Sequence, residues 1–285
     1  MFRCLILVCA IGVLLSFPAS VWADAAQEAF AKGQALFNKG DLDGALASFA
    51  TAARIDRTND KYMERYSVVR RIVALRQSLQ AEADAERWLY LARALYALYC
   101  QEGMLSDAAA LAQAIHGKLN DVSSAVILAE TQLALGQNAE AAKVLSALGE
   151  HQSTASSRAL LGIALARQGN LDRARKISDS IVVAEGAGPQ THYSLARLYA
   201  LTADPAKALS ALTRCMESLA PSRQESFREH ARRCPDFAGL ASTPGFVKAL
   251  ATPSKVPESA CSGGSGCAGC PMRGKCAESC AQQGK

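Results

Sequence analysis

The sequence predicts an all-α chain: a right-handed α-solenoid of stacked antiparallel helix pairs, followed by a C-terminal tail that is disordered or stapled by metal or disulfides. Three observations predict it. Alanine and leucine dominate and β-branched clusters are scarce, so no segment reads as a strand. A small residue, an apolar residue three further on, a turn and a second apolar helix recur around Gly33, Ala92, Ala129, Gly162 and Ala196. The separations are 37 residues from Ala92 to Ala129, then 33, then 34. Finally, five of the ten cysteines crowd into the last 25 residues, which hold no aromatic side chain.

The N-terminus reads as an export signal. Arg3 supplies the positive start, Leu5 to Phe17 is mostly apolar, and Val21-Trp22-Ala23 offers a cleavage site before Asp24. The apolar run is shorter than the roughly 20 residues that a membrane-spanning helix needs. Cys4 and Cys9 lie away from that junction, which argues against a lipid anchor. The expectation is an exported protein of the periplasm or cell envelope, secretion being the alternative, with no stable membrane insertion after cleavage of residues 1–23. The rest is long enough to bury a substantial core. Its charge is mild: the whole chain carries a formal +5, scattered along helices of both signs. Clustered Lys/Arg interleaved with aromatics is absent, which excludes nucleic acid as the expected partner.

Residues 24–58 form the first helix pair. Gly33 and Ala45 mark where its helices cross, because a larger side chain there would push the axes apart. Gly40 ends the first helix, Asp41 caps the second, and Phe49 fills the space toward the next pair. The segment AKGQALFNKGDLDGALASFATAARID resembles the tetratricopeptide repeat family, through Gly33, Leu36, Gly40, Ala45, Phe49 and Ala52. Residues 59–83 exceed one repeat and read as a long extra helix, which either covers the first pair or kinks the stack. Residues 84–218 continue with repeat-like units. In three units Gly or a turn falls seven residues after the small residue, which a generic Ala/Leu-rich bundle does not explain. Residues 219–251 read as a C-terminal helical cap, and the stretch from Tyr193 to Leu250 resembles the closing segment of bacterial repeat arrays through LARLYALTADPAKALSALTRC and CPDFAGLASTPGFVKAL. Pro235-Asp236-Phe237 and Pro244-Gly245-Phe246 read there as turns that fold Phe237 and Phe246 onto the last apolar face.

The resemblance implies a groove lined by the first helix of each pair, at positions three before and one, four and five after the small residue. These offsets select Phe30, Gln34, Phe37 and Asn38, then Leu89, Arg93 and Tyr96, then Val126, Glu130 and Leu133. Ala159, Ile163 and Arg167 follow, then Tyr193 and Arg197. Rings beside Arg, Gln and Asn suit a protein or peptide partner, and Arg93, Arg167 and Arg197 suit an acidic one. The alternative is that these residues pack against the extra helix or face water. The two-Asn basic clamp by which some family members hold a C-terminal carboxylate is not recognisable.

Residues 252–285 are too poor in apolar side chains to order themselves without a staple. Cys267 and Cys270 form a C-x2-C, with Cys276 and Cys280 close behind and Cys261 ahead. Such thiolates can wrap Zn²⁺ or an iron–sulfur cluster, and in an oxidising compartment they equally form disulfides. A thiol-redox or attachment role is the third reading. CAGCPMRGKC resembles the C-x2-C-P-x4-C element of iron–sulfur scaffold proteins over ten residues only. Cys215 and Cys234 flank the cap as either disulfide partners or buried thiols, and Cys100 reads as a core residue.

No catalytic signature emerges. The four histidines (His116, His151, His192, His230) are scattered, and neither H-E-x-x-H nor G-x-S-x-G occurs. Gly269 to Cys276 approaches a phosphate-binding loop but has Cys where a Ser/Thr hydroxyl is required. The chain therefore reads as a non-enzymatic scaffold that recruits a protein through its groove. The rival is a metal- or thiol-handling protein whose tail is the active part and whose repeats dock a client.

Overall fold

The computed structural model describes residues 19–149 and 152–257, with side chains from Asp24 onward. Residues 1–18 of the expected export signal and the tail cysteines Cys261, Cys267, Cys270, Cys276 and Cys280 lie outside the described residues, whereas residues 19–23 are helical. Among those described there are helices and turns but no strand, so the all-helical class holds. The chain divides into two compact units, Met1–Met104 and Leu105–Lys285.

In the first unit, α1 (Ala19–Asn38) and α2 (Leu42–Ile55) form a tight antiparallel pair, followed by α3 (Asp60–Ala81) and α4 (Ala85–Gln101). The crossing of α1 on α2 is so close that a Cβ on Gly33 would stand 2.7 Å from the Phe49 ring. That ring is wholly buried and has nowhere to retreat. Gly40 closes the pair at φ +81°, and Asp41 N–H reaches back to the Leu36 carbonyl, a left-handed helix ending that glycine adopts without strain. The Asp41 carboxylate accepts from Gly44 N–H at 2.9 Å and caps α2.

The extra helix α3 covers the first pair. Tyr62 sits 4.8 Å from the Phe30 ring, the Arg65 guanidinium lies 4.2 Å above the Phe37 ring, and Val69, Ile72 and Val73 are buried. Arg65 also forms an ion pair with Glu102.

The second unit runs α5 (Leu105–Leu119), α6 (Val122–Ala134), α7 (Asn138–Ser146), α8 (Ala155–Arg167), α9 (Leu171–Ser180), α10 (Pro189–Leu201) and α11 (Pro205–Ser218). Helices consecutive in the chain pack as pairs, and α6, α8 and α10 are neighbours in turn, so each first helix stacks on the next. Capping boxes at Asp121/Ser124 and Thr154/Ser157 fix the starts of α6 and α8. At Gly162 a Cβ would stand 2.7 Å from Leu198, so α8 and α10 are also in close approach.

The turns repeat one hydrogen-bond pattern. Gln137 N–H bonds Gln132 O, Asn170 N–H bonds Leu165 O, and Asp204 N–H bonds Tyr199 O, following left-handed residues at Gly136, Gly169 and Ala203. Ala203, at φ +63°, occupies the position that glycine holds in the other turns. It therefore bears backbone strain that they avoid.

The unit closes with α12 (Pro221–Arg233), a 3₁₀ turn at Pro235–Phe237 and α13 (Pro244–Leu250). Phe237 and Phe246 are both buried, their rings 5.4 Å apart. Gln224 donates to the Met216 and Thr252 carbonyls and Arg228 to the Leu250 carbonyl, which ties this cap together. Cys215 is buried and Cys234 half-buried, and they are not joined. Burial pushes the Cys215 thiol up to about 12, far from reactive. Cys100, by contrast with the core position its apolar neighbours imply, is exposed. It stands at the end of α4 on the side away from the buried Leu95, Leu98 and Tyr99.

Candidate functional site

The candidate groove residues fall into three environments. Phe30 and Phe37, on α1, are 6% and 8% exposed and lie beneath α3. They are interior rings and offer no open wall. Gln34 and Asn38, on the same helix, remain exposed.

On α10 and α8 the arginines are already engaged. Arg197 Nε donates to Asp236 Oδ2 at 2.7 Å, and Arg167 Nε donates to Asp236 Oδ1 at 2.8 Å. Arg167 also donates to the Leu133 carbonyl at 2.8 Å. The Asp236 side chain is 2% exposed, so both carboxylate oxygens are spent inside the molecule. Tyr193 is buried with its ring 5.1 Å from Phe227, 5.5 Å from His230 and 6.0 Å from Phe237. Burial, followed by the Cys234 thiol nearby, pushes its phenol well above the ordinary value. Burial likewise holds His230 below the ordinary histidine range, with Arg197 adding to the effect. The α10 face is thus filled by the chain's own cap.

Glu130, on α6, is half-buried and accepts from Gln190 Nε2 at 2.6 Å. Desolvation raises its carboxyl above the usual range, against the opposing pull of the Gln190 bond and of Arg197. Val126 is half-buried, and Leu133, Ala159 and Ile163 are buried.

On α4 one candidate residue stands open, with an exposed ring beside it. Arg93 is exposed, and Glu86, Leu89, Tyr90 and Ala94 surround it in a shallow depression. Tyr90 is 63% exposed, among the largest exposures of an apolar or aromatic side chain described. The i, i+3 and i, i+4 spacings place Tyr90 and Leu89 against Arg93 on one side of the helix. Tyr96 is half-buried one turn further on. Among the described residues Arg93 forms no ion pair.

Sequence reading missed Asp236 as a functional partner of the two arginines. The signal was a lone carboxylate within an apolar closing turn, which has to find a counter-charge when buried. It missed Tyr90 because the groove offsets pass over that position. Among the described residues no group of three or more His, Cys, Asp or Glu stands together as a metal site. No described helix is long and apolar enough to cross a membrane.

This arrangement defines a helical-repeat protein. Residues 29–59, the second half of α1 together with α2 and the loop into α3, match the family model of the tetratricopeptide repeat. No curated protein matches the chain. Solved structures similar to it include the MamA protein (14% identity, TM-score 0.33, covering 72% of this chain and 96% of that one). Others are a tetratricopeptide repeat protein from Parabacteroides merdae (14%, 0.41, 80% and 97%) and YrrB (18%, 0.32, 76% and 100%), described as a TPR protein with an unusual peptide-binding site.

Proposed function

We propose that this chain is an exported, non-catalytic scaffold that holds a protein or peptide partner on the open face of α4. The observation that carries the reading is the contrast between equivalent positions. Arg197 and Tyr193 are consumed by the cap, whereas Arg93 and Tyr90 stand open on α4 beside the half-buried Leu89. A ring of this size left in water beside a guanidinium is the residue pair that interfaces concentrate. Export is supported by the leader of residues 1–23, and a partner in the periplasm or cell envelope follows from it.

The test uses the mature protein as bait in a cross-linked envelope extract, alongside a Tyr90→Ala/Arg93→Glu variant checked for helicity by circular dichroism. Both side chains are exposed, so the variant folds. Loss of specific captured proteins is the result expected; an identical captured set would contradict the reading.

The C-x2-C spacing of Cys267 and Cys270 favours a second element, a tail that binds Zn²⁺ or an iron–sulfur cluster through Cys267, Cys270, Cys276 and Cys280, with Cys261 in reserve. Deleting residues 254–285 separates the two. Partner capture that survives the deletion assigns docking to the repeats, and capture that disappears assigns it to the tail.

A further inference from the structure

The molecule itself displays one ligand seated on a repeat face. On α10, Arg197 grips the Asp236 carboxylate, Arg167 closes on its other oxygen, and Phe237 lies against Tyr193. What that face accepts is a short turn of chain with a carboxylate followed directly by an aromatic ring.

The α4 face carries the same lead position. Arg93 follows the buried Ala92 by one residue, as Arg197 follows the buried Ala196. Leu89 stands three before Ala92, where Tyr193 stands three before Ala196, and Tyr90 adds an exposed ring. Arg93 has donors in a planar fork that no described carboxylate occupies, and such a fork pairs best with a carboxylate.

We propose that the α4 face binds a segment of a partner protein in which an acidic side chain immediately precedes an aromatic residue. The carboxylate sits on Arg93 and the ring packs over Leu89 and Tyr90. This rests on the reading of α4 as the docking surface and adds the chemistry of the occupant. Glu86, one turn before Tyr90, repels a second carboxylate on that side. The preferred segment therefore carries one acid and a ring, and a run of acids is disfavoured. A single exposed arginine replaces the two that hold Asp236, so binding is weaker than the internal contact and reversible.

The probe is a fluorescein-labelled peptide copying residues 235–241 of this chain, Pro-Asp-Phe-Ala-Gly-Leu-Ala, titrated by anisotropy with the full mature protein. Saturable binding is expected, weakened about tenfold or more by Arg93→Glu, by Tyr90→Ala, or by Asn for the peptide's Asp. Binding that is indifferent to Arg93→Glu would place the peptide on the α10 face in exchange with the cap and overturn the proposal. Equal binding of the Asn peptide, or no binding at millimolar concentration, also overturns it. If the peptide fails while Tyr90→Ala/Arg93→Glu still removes captured partners, the acid–aromatic specificity is wrong and the docking surface stands. If both fail, the surface is wrong as well.

Discussion

Arg197 and Asp236, 39 residues apart in sequence, meet at 2.7 Å and pin the C-terminal cap to α10. Arg167, from the preceding helix pair and 69 residues away, takes the other oxygen. One carboxylate thus bridges two repeats and the cap. Asp236→Asn leaves two largely buried guanidinium groups without a counter-charge, and is expected to cost about 3 kcal/mol. Replacing all three together by apolar residues (Asp236→Leu, Arg167→Met, Arg197→Met) is expected to recover most of that. Chemical denaturation of the mature protein checks both; a single Asn substitution without effect would mean that the bridge carries no stability.

The left-handed turn at Ala203 is strained where Gly136 and Gly169 are not. Ala203→Gly is expected to stabilise the second unit by about 0.5–1 kcal/mol, and Gly169→Ala to destabilise it by about 1 kcal/mol or more. Thermal melts of the two variants should move in opposite directions.

Gly33→Val drives side-chain atoms into the buried Phe49 ring, and overpacking of this kind is expected to cost about 1–3 kcal/mol. Gly117, with open space around it, serves as the comparison. Its replacement by alanine should leave the melt unchanged or raise it slightly.

Glu130 supplies a pH signature. Its carboxyl is held above the ordinary value of 4.5, so between that value and the raised one the folded state binds more protons than the unfolded state. Stability therefore falls as pH rises through this window. His192 and His230, both held below 6.5 chiefly by burial, act in the opposite sense as pH falls below that value. Glu130→Gln isolates the carboxylate. The variant should be more stable than the parent at neutral pH, and the difference should vanish on acidification through the ordinary glutamate range. A difference independent of pH would contradict this.

Much of the fold was legible because its determinants are local. The small crossing residues and the turn residue seven positions later state the helix pairs within one repeat length, as at Gly162 and Gly169. The all-helical class follows from them. The working surface was less legible, because what covers a helix face is decided far away in sequence. The groove offsets select Phe30 and Phe37 as groove wall, but the packing of Tyr62 and Arg65 on α3 covers both rings. The same offsets offer Arg167 and Arg197 to an acidic partner, while the carboxylate they meet lies in a turn dozens of residues later in this chain. Cys100 reads as a core residue from its neighbours, yet faces solvent because it sits one position past the buried stripe of α4.

The most direct test is site-specific photo-cross-linking in the native host, with p-benzoylphenylalanine placed in turn at Tyr90 on α4 and at Phe227 on the cap helix α12, which packs against Tyr193. Adducts with another protein are expected from position 90, and only intrachain products from position 227. Intermolecular adducts from 227, with none from 90, would show that the cap yields its place to the partner, and would contradict the assignment of docking to α4.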